Sequence, residues 1–218
     1  MTADEWDICD RHFIPRFMLD HVAGAESVRV RRLFAIALHL RGGYDPTSDW
    51  ERDIVTIARR AADGQLSRDE LARHSRSAQR DMGGLMDWQA ATRERAIIEL
   101  LDPELTRDVC GHWTLGEPLR QLRPDEMRSF NEWCRLSVEL IRCVFGNPFT
   151  RVEFQPVWRT STAVAIARGC HESGDYSAMP ILADALQDVS CDDDIVTHCR
   201  EPVHVRGCRV VDAVLGLR

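Results

Sequence analysis

No lysine occurs in the chain; all 28 basic residues are arginine. That excludes Schiff-base chemistry, the lysine of a phosphate-binding P-loop and the phosphate-pairing lysine of protein kinases. Long apolar runs are also missing, and none approaches the roughly 18–20 residues that cross a bilayer. The first ten residues carry Asp4, Glu5 and Asp7, where a signal peptide would be basic and then apolar. A cytoplasmic protein with no membrane association is expected. The common catalytic signatures are absent too: no G-x-S-x-G elbow, H-E-x-x-H, G-x-G-x-x-G or Walker loop is present. The net charge of −7 leaves no general basic surface for phosphate, so nucleic acid is not an expected partner. The nearest basic cluster, Arg29, Arg31 and Arg32, lies within a helical pattern and reads as a solvated face.

What is present reads as helix. Thr2-x-x-Glu5, Ser48-x-x-Glu51 and Ser67-x-x-Glu70 match the capping box, in which hydroxyl and carboxylate each satisfy a free backbone N–H. Val30, Leu33, Phe34, Ala37 and Leu38 repeat at helical spacing until Gly42-Gly43. Trp50, Ile54, Ile57, Ala58 and Ala61 do so until Gly64. Further helices are expected over 67–82, 88–101 and 104–113. Pro124 suits a first helical turn, and Met127, Phe130, Cys134, Val138, Ile141 and Phe145 then form one apolar stripe, closed by Gly146. Four short helices, over 161–170, 177–189, 192–199 and 205–215, complete the pattern. The expectation is an all-α, multi-helix fold of about ten to twelve short helices. Gly116 to Arg123 reads as a connector between helical subdomains 1–115 and 124–218, or as a loop within one continuous domain. The core should include Leu33, Phe34, Ile54, Ile57, Ile97, Phe130, Trp133, Ile141, Ile181, Leu182 and Val211.

Eight cysteines in a reducing compartment read as buried thiols or metal ligands rather than disulfides. Cys134 and Cys143 fall in apolar helical pattern and read as core. Cys191, His198, Cys199, His204 and Cys208 are different, because they fall within 18 residues and carry the usual zinc donors. There is no Cys-x2-Cys knuckle, and the adjacent His198 and Cys199 do not easily face one ion. The plainer reading buries Cys199 and Cys208 between helices, pairs Asp194 with His198 at the surface, and lets His204 open the last helix. Cys170-His171 resembles a thiol–imidazole pair by adjacency alone; side chains one residue apart on a helix diverge by about 100°. Asp192 to Asp194 fit a helix start as well as a cation site. His39, His74 and His112 read as solvated or satisfied positions.

Phe145-Gly-Asn-Pro-Phe149, Trp158, Met179-Pro-Ile-Leu-Ala-Asp-Ala-Leu186, Cys191, His198-Cys-Arg200, His204-Val-Arg-Gly-Cys208, Val210-Val-Asp212 and Leu215-Gly216 carry a further likeness. Together they resemble an uncharacterised bacterial family of planctomycete type, strongly over about 144–216 and fairly over the first 65 residues. Family members usually have Trp where Arg209 stands and one more residue between Arg200 and His204. No known activity attaches to the family, so the resemblance implies none. The leading functional expectation is a non-enzymatic protein-interaction or adaptor module with a protein partner. A zinc-stabilised helical domain and an enzyme of unknown chemistry are the alternatives.

Overall fold

A computed structural model describes residues 2–8, 14–22, 26–41, 48–82, 97–104, 124–150 and 152–217. Among these residues all the regular structure is helical, with no strand. The elements are α1 (Ala3–Ile8), α2 (Ile14–Val22), α3 (Val28–Arg41), α4 (Asp49–Ala62), α5 (Arg68–Met82) and α6 (Pro124–Phe145). A 3-10 turn (Pro156–Trp158) then leads to α7 (Ser161–Ser173), α8 (Met179–Gln187), α9 (Asp193–Cys199) and α10 (Arg209–Leu215). The expected all-α architecture is what forms. The helix at 104–113, the connector at 116–123, His112 and the side chains of Phe130 and Trp133 lie outside the described residues.

Local chemistry sets the helix ends. Ser48 and Glu51 close a reciprocal capping box at α4, and Thr2–Glu5 and Ser67–Glu70 do the same at α1 and α5. Thr160 accepts the Ala163 N–H at 3.1 Å to start α7. Gly146, at φ +74°, ends α6 in the left-handed region that an L side chain rarely adopts.

Helix α3 is the centre. Residues 32–39 are all buried, so it lacks the solvent face an outer helix keeps. It packs on α4 and α6, while α2 also lies against α6. Phe34 of α3 meets Phe145 of α6 with ring centroids 5.1 Å apart. Phe149, on the far side of the Gly-Asn-Pro turn, sets its ring edge-on to Trp6. In the C-terminal part, α7 packs on α8 and α10, and α9 packs on α8 and α10. Helix α10 reaches α6, and side chains of both halves join one apolar core.

Three expectations need correction. Ile181 is not core but 61% exposed. Met179, Leu182, Ala183 and Leu186 fill the inward stripe of α8, and Ile181 falls between them on the helical wheel. Arg29, Arg31 and Arg32 do not form a solvated face. Arg32 is buried and donates to the Leu100 and Asp102 carbonyls, Arg31 donates to the Glu26 carbonyl, and Arg29 is forked onto the fully buried Asp212 of α10. Finally, the last helix begins at Arg209 rather than at Val205, because Gly207 turns the chain at φ +94°.

Candidate metal centre

That late helix start builds the site. His198 sits in the last turn of α9, and residues 200–208 return the chain as a loop carrying His204. Cys208 is the residue preceding α10, but its side chain makes no capping bond to that helix. Its thiol turns inward instead, toward Cys143 near the end of α6. One ligand atom from each of Cys143, His198, His204 and Cys208 lies within 4.8 Å of all the others, and all four residues are buried. Cys208 Sγ is 3.4 Å from His198 Nε2 and 3.8 Å from His204 Nδ1. The two imidazoles meet edge-to-face, with centroids 5.0 Å apart.

A second layer orients the first. His198 Nδ1 is 2.6 Å from a Glu201 carboxylate oxygen, which leaves Nε2 directed at the thiols. Tyr176 stacks on the His204 ring at 6.3 Å between centroids. Gly207 lies so close to α3 that a Cβ there would meet Leu33 Cβ at 2.9 Å, so the ligand loop is pressed against the central helix.

The electrostatics favour a charged cluster. Burial alone would push the Cys208 thiol up, but a hydrogen bond with Cys143 and the charge and hydrogen bonds of His198 and His204 hold it well below the usual range. Burial would lower His198, yet the Cys208 charge and hydrogen bonds to Cys208 and Glu201 raise it to about 9. The bond to Cys208, then burial, push the Cys143 thiol well up. Cys208 and His198 thus stabilise each other's charged forms out of contact with water. Two soft sulfurs and two imidazoles converging in this way could hold a metal ion.

Of the five residues expected as ligands, the structure gathers His198, His204 and Cys208. Cys191 and Cys199 are outside the four-residue group. Both are buried thiols, and burial pushes the Cys191 thiol up to about 11 and the Cys199 thiol up further. Helix geometry separates Cys199 from His198, since neighbours on α9 diverge by about 100°. The residue that sequence reasoning missed is Cys143, 55 positions before His198. The surface pair of Asp194 and His198 does not form: His198 is buried on Glu201, and Asp194 binds Arg209 at 2.8 Å. His204 does not open a helix but lies in the loop before α10.

The other constellations resolve into structure. Asp192 caps α9 by accepting the Asp194 N–H. Cys170 faces the core, while His171 Nε2 lies 3.1 Å from Arg206, whose guanidinium also binds Asp63 at 2.9 Å. His171, Arg206 and Asp63 line an open cleft of about 510 Å³ with Arg29 and Glu172, in which Arg206 is paired with Asp63 and Arg29 with Asp212. His39 is buried in α3, and His74 lies on α5. No described helix is long and apolar enough to cross a membrane. Compared with protein-family models, curated proteins and solved structures, the chain finds no match in any of the three.

Proposed function

We propose that this chain is a zinc-stabilised helical protein in which Cys143, His198, His204 and Cys208 hold a structural Zn²⁺. The observation that carries the reading is the mutual distance of the four donor atoms. A tetrahedral Cys2His2 zinc site, with Zn–S near 2.3 Å and Zn–N near 2.0–2.1 Å, has ligand–ligand edges of roughly 3.3–3.8 Å. The two distances from Cys208 Sγ, 3.4 and 3.8 Å, fall on that scale. Glu201 supplies the carboxylate behind a ligating histidine that commonly fixes its tautomer and orientation.

A structural role follows from closure. Four protein donors complete a tetrahedron, whereas a catalytic zinc keeps a position for water or substrate. A cysteine–histidine nucleophile acting on an extended substrate is disfavoured too, because Cys208 and Cys143 are fully buried and only a very small molecule could reach them. The metal would join α6 to the α9–α10 segment, so its binding free energy would become folding free energy.

The test is metal content by mass spectrometry on full-length protein purified under reducing conditions, without a His-tag or chelator. Near-stoichiometric zinc is expected. Strong chelation should lower the melting temperature by on the order of 10 °C. Cobalt substitution should give the intense visible bands of a tetrahedral, thiolate-bearing site, and Cys143→Ser should abolish them. Protein that is metal-free, takes up no cobalt and melts identically in chelator would sink the reading.

A further inference from the structure

We propose that the same centre is a peroxide-sensitive switch: a hydroperoxide would convert Cys143 and Cys208 into a disulfide and release the metal. The inference rests on the zinc reading above. Its own support is the placement of the two sulfurs. They lie within 4.8 Å of each other in the buried cluster, and they come from α6 and from the residue that precedes α10. Oxidation would thus replace one cross-link between these elements by another. The two histidines take no part in a disulfide, so the loop carrying His204 would lose its anchor.

The balance is simple. The Cys208 thiolate attacks one peroxide oxygen, giving a sulfenic acid and hydroxide. The Cys143 thiolate then attacks that sulfur, the S–S bond forms, and a second hydroxide leaves. Two electrons pass from the thiolates to the peroxide, two protons convert the hydroxides to water, and Zn²⁺ departs because its two thiolate ligands are gone. So small an oxidant has a short path to the cluster. Glu201 bonds directly to His198 and keeps 44% of its side-chain surface exposed, so the cluster lies one residue beneath solvent on that side. The other buried thiols are placed differently. Cys199 and Cys191 both lie outside the group of four.

The experiment treats zinc-loaded, full-length protein with excess hydrogen peroxide. A chromogenic chelator reads zinc release, and mass spectrometry after alkylation maps the disulfides. The expected result is loss of nearly all bound zinc together with a 143–208 bond. Helicity should be retained, and dithiothreitol with added zinc should reverse the change. Cys199→Ser and Cys191→Ser should behave as wild type. The oxidised, zinc-free protein should also melt above the reduced, chelated protein, since only the former keeps a cross-link. Zinc that stays bound under peroxide, or release with a different disulfide, overturns the switch and leaves the structural zinc standing. Protein that never holds zinc overturns both.

Discussion

His198 divides its two ring nitrogens between opposite partners: Nδ1 meets Glu201 at 2.6 Å, and Nε2 meets Cys208 Sγ at 3.4 Å. The imidazole is thereby fixed in orientation before any ion arrives. Three residues further along the chain, an exposed carboxylate does work that no ligand could do for itself.

Glu201→Gln keeps the size of the side chain but removes its charge. The variant should fold and still bind zinc, with affinity reduced about 10–100-fold, the usual cost of losing such a partner. Competition against a chromogenic chelator measures this. Unchanged affinity would mean that the loop, rather than Glu201, positions His198.

Metal uptake should release protons. In the metal-free protein Cys143 is pushed well up by its bond to Cys208 and by burial, and His198 is raised to about 9, so both hold their protons more firmly, while Cys208 is held down. Binding needs both sulfurs ionised and both imidazoles neutral at the ligating atom. Protons should therefore leave as zinc binds, and affinity should rise with pH. Calorimetry in buffers of different ionisation enthalpy counts them. The sign for the metal-free protein is opposite: a raised His198 contributes stability that is full below its unfolded value of about 6.5 and is lost as pH rises through about 9.

Helix starts and the all-α architecture were legible because caps and apolar periodicity are local. Ser48–Glu51 and Gly146 announce themselves within a few residues. The site was legible only in its C-terminal part, where His198, His204 and Cys208 crowd together. Cys143 was not, because on α6 a buried ligand and a buried core thiol occupy the same face and look alike in sequence. Only the packing of α10 against α6 distinguishes them. Cys199 and Cys191 entered the candidate set by proximity in sequence, which a helix and its caps turn into divergent directions. Arg32 misled for a related reason: a charged residue among apolar ones reads as surface until its carbonyl acceptors, at Leu100 and Asp102, come from 68 and 70 residues away.

The ligand loop should be sensitive to its weakest-looking residue. Gly207→Ala must place a Cβ at φ +94°, 2.9 Å from Leu33 Cβ. Strain of this kind costs roughly 1–3 kcal/mol, and the shift it forces falls on the residue next to Cys208. Both the melting temperature and zinc affinity should drop. Leu33→Ala keeps that Cβ and removes only the Cδ1 and Cγ contacts, at 3.2 and 3.6 Å, and it leaves the backbone strain, so the double variant should recover only a small part of the loss. Full recovery would place the whole cost in the contact with α3.

Helix α10 is held to α3 by the Arg29–Asp212 fork, and the carboxylate end is fully buried. Removing one partner of a buried pair leaves an uncompensated charge, typically at a cost of about 3–5 kcal/mol. Arg29→Leu should therefore be severely destabilising, and because Cys208 immediately precedes α10, it should also weaken zinc binding. The variant carrying both Arg29→Leu and Asp212→Leu removes both charges and should be more stable than Arg29→Leu alone. Chemical denaturation of the two single variants and the double variant gives the coupling energy directly. Additive losses would show that the two charges act independently, and that α10 is held in place by the packing of Val210, Val211 and Val214 instead.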